Sequence, residues 1–367
     1  MNAAVFKKIG IVCGLMFTTT TFGDQDIDRL GLPPITAPID NPLTGAKSEL
    51  GKKLFFDKRL SADGSVSCAS CHQPDRAFSD GLPKSKGVGD RTGTRNAPSL
   101  LNASLMDSQF WDGRRSSLES QALDPFVNPR EHGLTSYGQL LQAIRHNQDY
   151  ASLFQDAFDV HIDSIDERHI AKAIASYERS IARGNSAFDR YYYAGEQTAI
   201  SSAARRGLAL FMGRAQCVSC HHIGSAGSSF TDHQFHSLHI GLGRIESRLA
   251  TVSKAAVAAR TGERSIDATA LSEEDISELG RFFITLNPVD IGQFRTPSLR
   301  NVALTAPYMH DGSVATLEEA VDQEIYYRTV LNGRPLILTP DEKSDLAEFL
   351  RSLTSSNAQA IASPEGS

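Results

Sequence analysis

The sequence predicts a mainly α-helical protein built from two related halves. Apolar residues recur at helical spacing over several segments, and no convincing run of alternating apolar and polar residues predicts a strand. Short motifs of the first half return in the second, offset by 199 residues without a gap. The repeated pairs are residues 98–102 and 297–301, 111–113 and 310–312, and 118–119 and 317–318. Internal duplication therefore underlies the predicted fold.

Four segments carry the helical pattern. Residues 165–183 place Ile170, Ile174, Tyr177 and Ile181 on one face. The other helical segments are 137–158, 272–286 and 340–350. The Gly- and Pro-rich stretches 81–98 and 224–243 indicate loops.

A second repeated motif supports the duplication. Gly-x-x-Leu-Phe occurs in both halves, at 51–55 and 207–211. The second half carries about 50 more residues than the first between its cysteine-containing motif and the later repeats. We therefore expect two related domains, of which the second holds an insertion.

The composition is that of a globular protein with about two domains. The chain has 367 residues, of which 40% are hydrophobic and 22% are charged, and its formal net charge is -6. Domains commonly have about 100–200 residues, so this length accommodates two. A weakly acidic chain gives no reason to expect a nucleic-acid partner, which requires a basic face.

The N-terminus has the pattern of a cleaved export signal. Lys7 and Lys8 precede an apolar run at 9–17, and Gly23 is a small residue at a plausible cleavage point. The run is too short to span a bilayer, and no later segment is apolar enough to do so. We expect a signal peptide at 1–23 and a mature protein in the periplasm. The expected domains are 24–194 and 195–355, followed by a disordered tail at 356–367.

Apart from Cys13 in the signal segment, all the cysteines belong to two copies of one motif. C-x-x-C-H is the attachment sequence for c-type haem: the two thiols bind the haem vinyl groups, and the histidine becomes an axial iron ligand. A zinc knuckle or a thioredoxin-like pair is the alternative for a single copy. Because two copies use every mature cysteine, the pattern favours two covalently bound haem c groups in two cytochrome-c-like domains. The copies consist of Cys68, Cys71 and His72, and of Cys217, Cys220 and His221.

Two haems with different sixth ligands can have different tasks. An open iron can bind and cleave peroxide, whereas a six-coordinate iron relays or stores electrons. Cleavage of the O–O bond also needs an acid–base group above the open face of the haem.

The chain resembles the bacterial di-haem cytochrome c peroxidases and the related MauG-type enzymes. The resemblance extends over residues 50–353, nearly the whole mature chain. Besides the haem motifs, its segments together are highly specific. They are TRNAP at 94–98, FWDGR at 110–114, NPRE at 128–131, GNSAFDRY at 184–191 and TPSLRNVALTAPYMHDG at 296–312.

The resemblance implies a peroxide site in the first half. His72 matches the proximal ligand of the peroxide-reactive haem, and Glu131 matches the distal glutamate that moves the peroxide proton. Gln121 and Pro125 match residues that line the same pocket. Trp111, the single tryptophan, matches a residue that relays electrons between the haems. Taken alone, Glu131 would be a solvated loop carboxylate and Trp111 a core aromatic.

For the second half, the resemblance implies an electron-storing haem and a calcium ion. His221 matches the ligand of this low-spin haem. Asn96, Thr305 and Pro307 match positions that bind calcium through one side chain and two backbone carbonyls, the oxygen ligands that this cation prefers.

One departure from the family concerns the first haem. Many of the peroxidases have a histidine about 16 residues after the first haem motif, which caps the resting iron. This chain has Val88 there, and no histidine occurs between His72 and His132. We therefore expect a first haem that rests open and needs no reductive activation. His132, beside Glu131, is the alternative side chain that could approach this iron.

The other departure concerns the sixth ligand of the second haem. Peroxidases have Met, and MauG-like enzymes Tyr, 14 residues after the histidine of the His-Asp-Gly motif. That position here is Glu324. We expect Tyr326 to be the ligand, shifted by a small insertion, with Tyr327 and Met309 as alternatives. A phenolate ligand stabilises ferric and higher oxidation states, whereas a thioether favours the ferrous form.

Three functions fit these observations. The first is a MauG-like enzyme that uses hydrogen peroxide to oxidise a partner protein, for example at a tryptophan. The second is a cytochrome c peroxidase that reduces hydrogen peroxide to water with electrons from a small cytochrome c or cupredoxin. The third is a non-catalytic electron-transfer cytochrome. Neither a nucleic acid nor a membrane span is expected, and the protein could be a monomer or a homodimer.

Overall fold

The computed structural model describes residues 28–262, 273–333 and 335–358, and it is mainly helical, as the sequence predicts. The expected signal peptide at 1–23 lies outside the described residues. The α-helices of the first half are α1 (Gly45–Phe56), α2 (Cys68–Cys71), α3 (Leu118–Gln121), α4 (Asp124–Val127), α5 (Tyr137–Arg145), α6 (Ala151–Phe158) and α7 (Glu167–Ser180).

The rest of the described chain contains seven further α-helices and one short two-stranded sheet. The strands β1 (Phe235–His236) and β2 (Phe294–Arg295) are antiparallel, and Phe235 pairs with Arg295. The helices are α8 (Ala187–Tyr192), α9 (Ser202–Met212), α10 (Leu249–Thr261), α11 (Glu274–Ser277), α12 (Phe282–Thr285), α13 (Leu317–Asn332) and α14 (Pro340–Arg351).

The two halves share one kind of helix pair. Helix α1 packs along α7 in the first half, and α9 packs along α14 in the second. In both pairs the glycine of the Gly-x-x-Leu-Phe motif meets the facing backbone. A β-carbon at Gly51 would overlap the carbonyl of Ala173, and one at Gly207 would overlap that of Asp345. The repeated contact agrees with the predicted internal duplication.

Each half has its own apolar core. The first core includes Leu54 of α1, and the second includes Phe211 of α9 and Phe349 of α14. Phe188 of α8 belongs to the second core, where its ring contacts Phe230 and Phe349. Helix α8, which precedes the expected boundary at residue 195, therefore buries its aromatic side chain against the second half.

Two of the predicted helices are interrupted. The segment 137–158 forms α5 and α6, separated by a turn in which the Asn147 side chain accepts a hydrogen bond from the amide of Asp149 at 3.1 Å. The described part of segment 272–286 forms α11 and α12, which are separated around Gly280. Gly280 has a φ of 55°, and a β-carbon there would overlap the carbonyl of Gln293. The close approach of the Gln293 backbone to Gly280 breaks this helix. The spacing of the apolar residues does not indicate such a contact.

The described chain continues into the segment that was expected to be disordered. Residues 356–358 form a turn, and Ala358 is buried in a cluster with Phe55, Phe78 and Tyr177 of the first half. Packing of this small side chain fixes the turn, so the expectation of disorder from 356 is wrong for 356–358. Residues 359–367 lie outside the described part. None of the described helices combines the length and apolar character needed to cross a membrane.

We expect Gly51→Ala and Gly207→Ala each to lower the free energy of unfolding by about 1–3 kcal/mol, because the added methyl overlaps backbone that cannot move aside. The measurement is denaturant unfolding of the haem-loaded protein. Gly45→Ala is the matched control: it lies in the same helix as Gly51, with nothing within 4 Å of the added carbon. Equal stability of all three variants would contradict the close-contact interpretation.

Candidate active site

A single cavity brings the two C-x-x-C-H motifs together. Its volume is about 760 Å³, and its wall includes both histidines and all four motif cysteines. The first motif lies on α2 and the turn that follows it, and the second lies on a 3-10 turn at Cys217–Ser219. The cavity wall also contains Trp111, Gln121, Pro125, Glu131, Asn96, Thr305 and Pro307.

Each motif histidine is oriented by a backbone carbonyl. His72 Nδ1 lies 3.0 Å from the carbonyl oxygen of Phe78, and His221 Nδ1 lies 2.9 Å from that of Phe230. With Nδ1 donating, Nε2 keeps the lone pair that an iron binds. Burial lowers the pKa of both histidines, which favours the neutral imidazole needed for coordination.

The two carbonyls come from residues with the same unusual backbone conformation. Phe78 has a φ of 58° and Phe230 a φ of 53°, in the left-handed region that costs a non-glycine residue roughly 1–2 kcal/mol. These residues position the histidines, and the sequence analysis did not identify them. An aromatic residue 6 or 9 positions after the motif histidine is too common a pattern to be recognised in a single sequence.

The geometry of the motifs fits haem attachment better than a metal knuckle. Burial raises the pKa of the Cys71 and Cys217 thiols to about 12, so both are neutral. In the described part of the chain, no cluster of metal-ligating atoms combines both cysteines of a motif with its histidine. Both motifs instead line a cavity that is large and in part apolar, as a haem requires.

The expected distal residues lie together on one wall of the cavity. Gln121 ends α3, and Pro125 lies in the first turn of α4. The Pro125 carbonyl accepts a hydrogen bond from the His132 amide at 3.1 Å, and the Glu131 amide donates to the Asn128 carbonyl at 3.1 Å. The Glu131 side chain is half-buried on this tight turn. The structure therefore assembles the carboxylate, amide and proline that the resemblance implies.

The loop around Val88 packs against the distal turn. Val88 is buried, and its amide donates to the Glu131 carbonyl at 2.9 Å. Gly87 lies against the backbone of Arg130 and Glu131 so closely that a β-carbon there would overlap both carbonyls. At the position where many of the peroxidases have a capping histidine, this chain thus has an aliphatic side chain that cannot coordinate iron.

His132 is directed at the haem attachment point and not at a distal coordination position. Its Nε2 lies 3.9 Å from Cys68 Sγ, and its Nδ1 lies 3.2 Å from the Leu60 carbonyl oxygen. Its ring packs edge-on against Phe126. Burial lowers the pKa of His132 to about 4, so the ring is neutral at physiological pH.

Trp111 is hydrogen-bonded to both halves. Its indole Nε1 donates to the Asn96 carbonyl at 3.0 Å, and its own carbonyl accepts from the Arg295 amide at 2.8 Å. The next residue, Asp112, is fully buried, and Arg95 donates to it at 2.8 Å. Against the raising effect of burial, neighbouring guanidinium groups lower the pKa of Asp112. This ion pairing fixes the tryptophan in the wall of the cavity that holds both motifs.

The three expected calcium positions also lie in the cavity wall. Asn96, Thr305 and Pro307 all line the cavity. The Asn96 amide donates to the His310 carbonyl at 2.9 Å, which joins the two halves here. The Asn96 side-chain nitrogen donates to the Leu82 carbonyl at 2.8 Å, leaving the side-chain oxygen as an acceptor. The cavity wall therefore contains residues with amide and carbonyl oxygens of the kind that calcium prefers.

The expected sixth ligand of the second haem is not in the cavity. Tyr326 is 62% exposed, and neither it nor Tyr327 lines the cavity. The ring of Tyr327 stacks instead on His239, with 6.0 Å between the ring centres. Glu324 and Ile325 line the cavity in this turn, because the helix turns about 100° per residue and directs Tyr326 away. Met309, the other alternative, does line the cavity.

Glu178 of α7 is a buried acid in the cavity wall that sequence reasoning missed. It is 3% exposed, and its Oε2 has no hydrogen-bond partner among the described residues. Burial raises the pKa of Glu178 to about 8, so the carboxyl is largely neutral at pH 7. A lone glutamate on a helix has no local pattern that distinguishes a buried position from an exposed one.

Comparison with known proteins gives consistent relatives. Residues 45–198 match the family described as di-haem cytochrome c peroxidase. Cytochrome-c peroxidase IdrP1 of Denitromonas iodatirespirans is 35% identical, over 90% of this chain and 88% of that protein. Methylamine utilization protein MauG of Methylorubrum extorquens is also 35% identical, over 97% and 95%. Sequence identity therefore does not favour one of these two relatives over the other.

Among solved structures, a MauG-like protein associated with microbial copper homeostasis has the same fold. Its TM-score is 0.72 at 33% identity, and the match covers 91% of this chain and 96% of that one. The diheme peroxidase BthA of Burkholderia thailandensis has a TM-score of 0.67 at 24% identity, which supports the fold alone.

The buried Glu178 makes a testable prediction for stability. Its pKa is raised in the folded protein, so the stability that its neutral form contributes is complete below about pH 4 and is lost as the pH rises through about 8. We expect the stability of wild type relative to Glu178→Gln to fall between pH 5 and pH 8, by at most about 1.4 kcal/mol per pH unit. Denaturant unfolding of the haem-loaded proteins measures this difference.

Glu119→Gln is the matched control for this prediction. Glu119 lies 2.6 Å from Arg179, and against the effect of burial this contact lowers its pKa. Its variant should therefore differ from wild type by a constant amount between pH 5 and pH 8. A constant difference for Glu178→Gln as well would show that Glu178 is ionised throughout this range.

Proposed function

Because the chain belongs to the di-haem cytochrome c peroxidase family, whose relatives are peroxidases and MauG proteins that carry two haems and use peroxide, we propose that it is a MauG-like enzyme. In this proposal it reduces hydrogen peroxide at the first haem and oxidises a partner protein, for example at a tryptophan. The observation that carries the proposal is the side chain at position 88: the buried Val88 stands where many of the peroxidases have a capping histidine, and its amide is bonded to the turn that holds Glu131.

The reaction needs two electrons and two protons: H2O2 + 2 e⁻ + 2 H⁺ gives 2 H2O. The first haem supplies the redox-active iron at which peroxide is reduced. Residues of the chain supply the rest. The Glu131 carboxylate takes a proton from one peroxide oxygen and returns it to the other, while Gln121 and Pro125 limit the space around the substrate.

The two electrons come from the partner protein, which is thereby oxidised, and Trp111 is placed to relay them. Its indole lies in the wall shared by the two haem motifs, and its hydrogen bonds to Asn96 and Arg295 hold it to both halves. A rigid aromatic side chain between two redox centres shortens each electron-transfer step. The partner can therefore be oxidised without direct access to the peroxide site.

A peroxidase supplied by a small cytochrome c or cupredoxin is the second candidate. Two observations favour it: a named cytochrome-c peroxidase is as similar to this chain as MauG is, and the expected tyrosine ligand lies outside the cavity. The two candidates share the peroxide half of the reaction and differ only in the source of the two electrons.

Three further features belong to the proposal. The mature protein is exported to the periplasm, where c-type haem is attached and soluble redox partners meet it. A calcium ion binds at Asn96, Thr305 and Pro307, and it fixes the junction beside Trp111. The enzyme acts as a monomer or a homodimer.

The experiment adds one equivalent of hydrogen peroxide to the all-ferric, haem-loaded protein without a reductant. We expect the optical and EPR signals of both haems to change at once, because the first site is open and the two haems share electrons through Trp111. Glu131→Gln should slow this change by roughly 10²–10⁴, the usual contribution of general acid–base catalysis. Glu246→Gln, at an exposed position, is the matched control and should react like wild type.

Two results would contradict these expectations. If peroxide changes nothing until one haem has been reduced, the first site is closed at rest and the electron-supplied peroxidase is the better account. If Glu131→Gln reacts as fast as wild type, another group moves the proton.

A further inference from the structure

Helix α13 presents one continuous stripe of side chains to the cavity. The stripe repeats at three- and four-residue spacing, as expected for one face of a helix. Only one of its members, Glu324, carries a carboxylate. The stripe consists of Leu317, Ala320, Val321, Glu324, Ile325 and Arg328.

The C-terminal part of this stripe docks on the second haem motif. Arg328 Nη1 donates to the Gln216 carbonyl at 2.8 Å and lies 3.3 Å from Ser219 Oγ. Gln216 precedes Cys217, and Ser219 lies inside the motif. Arg328 therefore closes the edge of the cavity at which the second haem is attached, and Glu324 lies one helical turn further in.

The Glu324 carboxylate is anchored beside the second motif. Glu324 is held by an ion pair with Arg328, whose Nε lies 3.7 Å from a carboxylate oxygen. Because Arg328 also binds Gln216 and Ser219, this ion pair holds the carboxylate next to the motif loop. Both Glu324 and His221 line the cavity.

The other candidate ligands fit the position less well. Tyr326 is exposed, and Tyr327 stacks on His239 outside the cavity. Met309 lines the cavity, but it immediately precedes His310, whose carbonyl is bonded to Asn96 at the junction beside Trp111. Met309 therefore belongs to the wall between the two motifs, whereas Glu324 belongs to the wall formed by α13.

We propose that Glu324, and not a tyrosine or methionine, is the side chain that coordinates the second haem iron opposite His221. A carboxylate is an anionic oxygen ligand, like a phenolate, and it favours the ferric state over the ferrous one. Glu324 thus takes the place of the tyrosine and has the same effect, which is to favour the ferric state of the iron. The proposal depends on the two haems of the family and not on the identity of the electron donor.

The test compares Glu324→His with Tyr326→His in protein that carries two haems per chain. Histidine is a strong iron ligand, so at the correct position it converts the second haem to a bis-histidine centre with its own low-spin ferric EPR signal. We expect this conversion for Glu324→His and an unchanged wild-type spectrum for Tyr326→His. Because the readout is the resting ferric spectrum without peroxide, it is independent of the proposed reaction.

Two removal variants complete the test. Glu324→Gln should abolish the wild-type low-spin signal of the second haem, whereas Arg328→Gln, which removes the ion pair but keeps the carboxylate, should retain it. Loss of that signal in Met309→Leu, Tyr326→Phe or Tyr327→Phe would overturn the proposal. So would an unchanged spectrum in both Glu324 variants.

Discussion

The hydrogen bond between each motif histidine and a backbone carbonyl is the constraint on which the site depends. His72 and His221 can face the cavity with Nε2 only because Phe78 and Phe230 accept from Nδ1. Both phenylalanines adopt a left-handed backbone conformation to do so. A strained conformation that occurs at equivalent places in two halves of a duplicated chain indicates that the orientation of the histidine, and not local preference, determines the loop. The surrounding Gly- and Pro-rich loops are then understandable, because a haem supplies the apolar centre that regular structure would otherwise provide.

The two related halves of the chain form different surroundings for the cavity. In the first half, the loop of the buried Val88 packs on the turn of Glu131, and Glu131 lines the cavity. In the second half, a long helix carrying Glu324 covers the corresponding side of the cavity. Trp111 lies where the two environments meet and is bonded to both halves. In the proposed function, the first half meets the small oxidant while the second stores and passes electrons.

Much of this arrangement could be predicted from the sequence, and the errors have physical causes. The haem motifs and the duplication followed from residue types at specific spacings. Trp111, Gln121, Pro125 and Glu131 were implied by the family resemblance, and all four line the cavity. Tyr326 was expected from its chemical type and from the arginine two residues later, whereas helical phase places it outside the cavity. Extending the period from Leu317 and Val321 would have selected Glu324.

Other features could not be found from one sequence because they depend on tertiary packing. The packing of Phe188 in the second core is one example, because this residue looks like any helix aromatic until its contact with Phe349 is known. The burial of Glu178, and the direction of the His132 ring toward Cys68, likewise arise from elements distant in the chain.

The central claim is that one cavity holds two haems, of which the first is open on the side of Glu131. A crystal structure of the haem-loaded, all-ferric protein tests it most directly. The account predicts two irons bound by His72 and His221 Nε2, with Trp111 between them. It also predicts that no side chain from residues 85–93, nor His132, lies within bonding distance of the first iron. A protein ligand on the distal side of that iron would contradict the account.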